Sequence, residues 1–221
     1  MRTKDTDVKQ AISCVIFDLG NVILFFDHLK MASKISNLTG RNPENDFRTV
    51  IEDESWQIFE KGFMSPKIFY NKFLSLLKLS PNDIDFNSFK QYFNNIFYPN
   101  KAMITLIKDL KKTCTRLILL SNTNELHYEF IKKNFPIVNI FDAHVLSYKE
   151  GRRKPEQEIF RKAIRVAGCK AENILYIDDI SKYTEVASDF GIKTLTYDSK
   201  RQDRLLKYDF IPWYTTSDPT V

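Results

Sequence analysis

Acidic side chains stand directly after two short apolar runs of the sequence. Asp18 follows residues 14–17, and Asp178 and Asp179 follow residues 173–177. A carboxylate can act as a nucleophile and form a covalent intermediate. Two adjacent carboxylates in a buried cleft repel one another unless a cation lies between them or one is protonated. Magnesium is a cation that such oxygen ligands hold, so these residues predict group-transfer chemistry beside a divalent metal ion.

A hydroxyl-amide turn and a lysine complete the set of residues that could bind an anion. Ser121 and Asn122 follow a third apolar run, residues 116–120, and Lys154 lies in a basic loop. Phosphoryl transfer needs an in-line nucleophile, positive charge and hydrogen-bond donors on the equatorial oxygens. Asp18, Ser121 and Lys154 are residues of the required types. Taken singly, each also has an ordinary interpretation as a turn or surface residue.

The elements that would position these residues are short strands alternating with helices. Unbroken apolar runs of this length predict strands that are buried on both faces. From residue 101 onward the runs alternate with helical periods, a pattern typical of βαβ units and a parallel sheet. Ligand sites of such sheets lie beyond the carboxyl ends of the strands. The sequence therefore predicts an α/β fold, a doubly wound, Rossmann-like core built from residues 11–27 and 101–207.

The segment between the two parts of the predicted core has a different composition. Residues 28–100 are rich in phenylalanine and contain no clear buried-strand run. The Ser-Pro pairs at 65–66 and 80–81 each combine a capping residue with a first-turn proline, which indicates helix starts. We therefore predict that residues 28–100 form a separate, all-helical domain inserted into the core.

Four short motifs, taken in order, resemble the signature motifs of the haloacid dehalogenase-like superfamily. They are Asp-Leu-Gly-Asn-Val at 18–22, Ser-Asn-Thr-Asn at 121–124, Arg-Lys-Pro-Glu at 153–156 and Asp-Asp at 178–179. The residues of these motifs are similar to those of the branch of small sugar-phosphate phosphatases that includes bacterial enzymes acting on α-D-glucose 1-phosphate. The resemblance implies an α/β core with a helical cap. It also implies magnesium-dependent hydrolysis of a phosphate monoester, a sugar phosphate by analogy with that branch, through an aspartyl phosphate.

The same resemblance implies a role for each matching residue. It implies that the catalytic residues are Asp18, Ser121 and Lys154, that Ser121, Asn122 and Lys154 bind the phosphoryl group, and that Mg²⁺ is held by Asp18, the backbone carbonyl of Gly20, Asp178 and Asp179. Among the metal ligands, Asp179 is the main one and Asp178 lies beside it.

Two positions depart from the family pattern and leave alternatives open. Gly20 stands where most of these phosphatases have a second Asp that serves as acid and base, so that role stays open among Asp27, His28 and His127. Tyr183 stands where Asp or Asn is usual, which predicts weakened activity. The alternatives are a metal-independent dehalogenase, or a catalytically inactive member that binds a ligand or partner.

The composition restricts the class of partner and the compartment. The net charge is +5, but basic and acidic residues are interleaved, so we expect no nucleic-acid partner. No apolar run approaches the roughly 18 residues that a membrane helix needs. Three widely separated cysteines and a polar start without an apolar signal core favour the reducing cytoplasm. We expect a cytoplasmic monomer or homodimer that binds a small phosphorylated substrate and no membrane.

Overall fold

A five-stranded parallel sheet forms the centre of the structure, a computed structural model that describes residues 12–113 and 115–200. The strands are β1 (Cys14–Phe17), β2 (Leu24–Phe26), β3 (Phe97–Pro99), β4 (Arg116–Ser121), β5 (Ala143–Leu146), β6 (Ile174–Asp178) and β7 (Lys193–Thr196). The central sheet has the order β5-β4-β1-β6-β7, and every neighbouring pair in it is parallel. Predictions for residue 11, for Cys114 and for residues 201–207 and the tail lie outside the described residues.

Helices lie on both faces of this sheet and in a separate segment of the chain. They are α1 (His28–Thr39), α2 (Pro43–Glu52), α3 (Glu54–Glu60), α4 (Pro66–Leu76), α5 (Phe86–Asn94), α6 (Lys101–Lys111), α7 (Glu125–Asn134), α8 (Ser147–Glu150), α9 (Gln157–Ala167) and α10 (Ser181–Ser188). Successive strand residues point to opposite faces. Val15 accordingly packs in one buried cluster with Ile107 of α6, and Ile16 packs in another with Ile159 of α9. The predicted doubly wound α/β core is confirmed.

Residues 28–94 fold as the five helices α1–α5 around an aromatic cluster of their own. Phe59, Phe69, Phe89 and Phe93 are at most 2% exposed, and the rings of Phe59 and Phe69 stack with centroids 4.3 Å apart. Burying a side chain of this size contributes about 1.5–3 kcal/mol to folding. At the two ends of this segment, β2 and β3 pair as a short antiparallel ribbon.

One of the two predicted helix starts is confirmed and the other is wrong. Ser65 caps α4 with its side chain, and Pro66 occupies the first turn of that helix. The Ser-Pro pair at 80–81 starts no helix, because the backbone N–H and hydroxyl of Ser80 both donate to the carboxylate of Asp83 in a local turn. Asp85 caps α5 instead, accepting from two backbone N–H groups. Short polar side chains satisfy turns and helix caps by the same local bonds.

Candidate active site

The order of the central strands brings the predicted site residues to one edge of the sheet. β1 lies between β4 and β6, and all three run in the same direction. Their carboxyl ends carry Asp18, Ser121 and Asp178, which are 7%, 2% and 0% exposed. This is the edge at which parallel α/β sheets bind ligands. The carboxylates and the serine that are far apart in sequence therefore share one buried region.

Lys154 is buried at the centre of this region. Its Nζ lies 2.6 Å from Asp18 Oδ1 and 2.6 Å from Asp178 Oδ2, and it also donates to the carbonyl oxygen of Leu120 at 3.3 Å. Burial alone would lower the pKa of this ammonium, but the two carboxylates raise it well above its usual value. A lysine is almost never fully buried unless it is paired, and here one charged ammonium joins two strand ends.

Three carboxylates surround the same space. Oxygens of Asp18, Asp178 and Asp179 lie within 4.8 Å of one another. Burial raises the pKa of Asp18 to about 7, Lys154 opposes the rise, and the other two carboxylates add to it. The cluster thus carries more negative charge than its one lysine neutralises. Hard oxygen donors with surplus negative charge fit a divalent cation such as Mg²⁺.

Asn122 serves a structural purpose that the sequence did not reveal. Its Oδ1 accepts from the backbone N–H of Lys154 at 2.7 Å, and its Nδ2 donates to the backbone carbonyl of Lys154 at 2.9 Å. Tyr183, the second departure from the family pattern, lies against the same lysine: its ring centroid is 5.1 Å from Lys154 Nζ, and its hydroxyl accepts from Asn122 Nδ2 at 3.4 Å. Both side chains therefore help to position Lys154.

Two further side chains of this region were missed by sequence reasoning. The hydroxyl of Tyr176 bonds closely to Asp178 Oδ2, and Asn21 Nδ2 donates to Asp179 Oδ2 at 3.2 Å. Tyr176 was detectable in principle, because residues two apart on a strand face the same side of the sheet. Asn21 lies inside the first motif, but nothing in the sequence alone shows that it meets residue 179.

A cavity lies between Gly20, Ser121 and Asn122 and the helices α1–α5. It is lined by Leu19, Gly20, Phe26, His28, Trp56, Glu60, Phe97, Ser121, Asn122, Thr123, His127 and Ile131. The Gly20, Ser121 and Asn122 side belongs to the core. The opposite side includes His28, Trp56 and Glu60 from the helical segment, and the aromatic rings of Phe26 and Phe97 also line the cavity.

The three candidates for the open acid/base role lie in settings that do not suit it. The Asp27 side chain caps α1 by accepting from the backbone N–H of Leu29. Burial lowers the pKa of His28 to about 4 and that of His127 to about 3. Both nitrogens of His127 have partners, Asn124 Nδ2 and the carbonyl of Phe93, each at 3.1 Å. These residues serve the helix start and the aromatic packing.

Gly20 has no space for a side chain, and we expect Gly20→Asp to destabilise the fold. A Cβ there would lie 2.8 Å from Cε1 of Phe26, whose ring fills the volume. Overpacking of this kind costs about 1–3 kcal/mol, measurable as the free energy of unfolding in urea. Phe26→Ala is the matched background, in which the added cost of Gly20→Asp should largely vanish. An equal cost in both backgrounds would contradict the steric explanation.

The fold and the arrangement of the site agree with one family. The model of the haloacid dehalogenase-like hydrolases matches residues 12–182. The chain belongs to the haloacid dehalogenase-like hydrolases, as its motifs predicted.

Relatives and solved structures share most of the chain. It is 25% identical to the sesquiterpene phosphatase astK of Aspergillus oryzae over 172 residues, 74% of this chain and 79% of that protein. It is also 25% identical to the D-ribitol-5-phosphate phosphatase of Bacteroides thetaiotaomicron over 193 residues, 83% of this chain and 90% of that protein.

The solved structure of a HAD family enzyme of B. thetaiotaomicron is similar to this chain, with a TM-score of 0.79 and 25% sequence identity. The superposition covers 90% of this chain and 100% of that enzyme. A structure of the same wild-type enzyme contains magnesium and inorganic phosphate. The superposition of that complex covers 86% of this chain and 96% of the enzyme, with a TM-score of 0.75 and 26% sequence identity. Among the described residues of our chain, no helix is both long and apolar enough to cross a membrane.

Proposed function

We propose that the protein is a magnesium-dependent phosphatase of small phosphate monoesters that works through an aspartyl phosphate. The observation that carries the proposal is the buried ammonium of Lys154, 2.6 Å from Asp18 and 2.6 Å from Asp178, beside the third carboxylate of Asp179. In the proposed mechanism these residues would supply a nucleophile, a fixed positive charge and a cation site around one point. Phosphoryl transfer depends chiefly on such positioning and charge stabilisation.

Each residue of the set has a role in this chemistry. An oxygen of Asp18 attacks phosphorus, while Lys154 supplies positive charge beside the phosphoryl oxygens and the hydroxyl of Ser121 donates to one of them. Water then attacks the aspartyl phosphate, which releases phosphate and frees Asp18 for the next turnover. Asp18, Asp179, Asp178 and the Gly20 carbonyl would hold Mg²⁺, which when bound supplies positive charge for the phosphoryl oxygens.

We further propose that residues 28–100 act as a cap that selects the substrate. In support, three cavity-lining side chains of this segment, His28, Trp56 and Glu60, face the core residues Ser121 and Asn122 across the cavity. The relatives act, by their names, on a polyol phosphate and on sesquiterpene substrates. A substrate panel for this chain should therefore contain sugar, polyol and prenyl phosphates together with p-nitrophenyl phosphate.

Metal removal tests the reaction class. We expect phosphate release from the panel with Mg²⁺, and at least about a 100-fold loss in EDTA, because a bound cation supplies several kcal/mol of charge stabilisation. Release should return when Mg²⁺ is added in excess, and thermal unfolding in EDTA checks that the fold persists. Activity that survives EDTA would favour the metal-independent dehalogenase mechanism. A silent panel with Mg²⁺ still bound would favour the non-catalytic alternative that Gly20 and Tyr183 left open.

A further inference from the structure

The site as described lacks a group that could protonate the departing oxygen of the substrate. An alkoxide is a poor leaving group, and a positioned acid accelerates its departure by about 10²–10⁴-fold. Asp18 is the proposed nucleophile, Lys154 is engaged with two carboxylates, and the ring of Phe26 fills the space beside Gly20. The side chains of the cavity wall are the other candidates for this acid.

Two of the titratable side chains in that wall are not acids at neutral pH. Within the described part of the chain, the lining includes His28, Glu60 and His127. Burial lowers the pKa of both histidines, to about 4 for His28 and about 3 for His127. At neutral pH both imidazoles are uncharged, and the ring nitrogens of His127 already have partners. Glu60 is the remaining titratable group of this lining.

Glu60 is held in place at the junction between the helical segment and the core. It is the last residue of α3 and is 9% exposed. Its backbone carbonyl accepts from the hydroxyl of Ser147 at 2.6 Å, and that hydroxyl oxygen accepts in turn from the backbone N–H of Thr123 at 2.9 Å. Its carboxylate lies 3.0 Å from Nη2 of Arg153, the residue next to Lys154. These contacts fix Glu60 relative to the loop after β4, which contains Thr123, and to the loop that contains Arg153 and Lys154.

The carboxyl group of Glu60 is buried and has one charged neighbour. Its Oε2 lies 3.0 Å from Nη2 of Arg153, and the two form an ion pair. Burial raises the pKa of Glu60, while Arg153, Trp56 and Lys154 act against the rise. Burial therefore favours the protonated acid, and the ion pair with Arg153 favours the carboxylate.

We infer that Glu60 is the acid and base of the reaction, an inference that rests on the proposed phosphatase function. As the bond between phosphorus and the leaving oxygen breaks, Glu60 gives its proton to that oxygen and the alcohol departs. The resulting carboxylate, stabilised by Arg153, then takes a proton from water while the water oxygen attacks phosphorus. The bond between phosphorus and Asp18 breaks, and the reaction releases phosphate with Asp18 ionised and Glu60 protonated again.

The test compares substrates whose leaving groups differ in their need for a proton. Glu60→Gln should lower kcat/KM for phenyl phosphate by about 100-fold and that for p-nitrophenyl phosphate by less than about 3-fold, because p-nitrophenolate leaves without protonation. With p-nitrophenyl phosphate the variant should give a stoichiometric burst of p-nitrophenol, followed by slow turnover as the aspartyl phosphate awaits activated water. An equal loss on both substrates, or no loss, would overturn the assignment.

Matched variants separate this role from a structural one. Glu156→Gln breaks the neighbouring ion pair with Lys61, 2.7 Å long, which joins the same two segments outside the cavity lining. It should leave the ratio of the two kcat/KM values unchanged. If Glu60→Gln does not fold, Glu60→Asp decides: the shorter acid should give an intermediate ratio, and a wild-type ratio would overturn the inference. A wild-type protein inactive on both substrates with Mg²⁺ would instead contradict the proposed function itself.

Discussion

Replacing Asp18 with Asn should reduce phosphate release by at least about 10⁴-fold, because an amide oxygen does not attack phosphorus and no aspartyl phosphate forms. The assay uses the best substrate of the panel with Mg²⁺. Mass spectrometry after an acid quench should find a phosphorylated peptide containing residue 18 in the wild type and none in the variant. Asp189→Asn, on an exposed residue after α10, is the control and should keep wild-type activity. Undiminished release by Asp18→Asn would overturn the mechanism.

The same variant should be more stable than the wild type when no metal is bound. Asp18 has a pKa of about 7 in the fold, against about 3.9 in an unfolded chain. A carboxyl group whose pKa is raised in the fold lowers the stability at every pH above its pKa in the unfolded chain. This cost grows between about pH 4 and pH 7 and then stays constant. The melting temperature of Asp18→Asn in EDTA should therefore exceed that of the wild type at pH 8, and the difference should vanish near pH 4. A lower melting temperature at pH 8 would contradict this account.

The convergence of the site residues was predictable because it follows from strand direction alone. Asp18, Ser121 and Asp178 each stand at the end of an apolar run, and parallel strands place such ends at one edge. The sequence did not state which strands are neighbours, yet the order of the sheet puts β1 between β4 and β6. A central β1 gives Asp18 a neighbouring strand end on each side, which explains why one lysine can contact two carboxylates.

The contacts that tune the site were not predictable, because they join segments whose relative placement depends on packing. Asn122 is a turn residue by sequence, and only the fold shows that its side chain holds the backbone of Lys154. Glu60 reads as one more charge on a helix, and its burial depends on how α3 packs against the core. From the sequence, Gly20 indicates the loss of the family's second Asp. The structure shows in addition that the ring of Phe26 occupies the volume that a side chain at this position would need.

Lys154→Met should lower both activity and stability, and each loss has its own physical cause. Loss of a preorganised positive donor to the phosphoryl oxygens should reduce kcat by about 10³-fold. Asp18 and Asp178 would also lose the ammonium that lies 2.6 Å from each. Breaking a buried ion pair by removing one partner typically costs about 3–5 kcal/mol. The cost should be smaller at pH 5 than at pH 8, because carboxylates without a counter-charge take up protons more readily.

A double variant distinguishes a shared charge from general damage to the core. In Lys154→Met/Asp18→Asn one of the two stranded carboxylates is gone, so we expect Asp18→Asn to raise the stability in urea more in the Lys154→Met background than in the wild type. Lys162→Met is the control: that lysine pairs with Glu150 at 3.0 Å on the surface, and such pairs contribute about 0–1 kcal/mol. Residues in one charge network are not additive. An equal effect of Asp18→Asn in both backgrounds would show that Lys154 stabilises the fold by packing rather than by its charge.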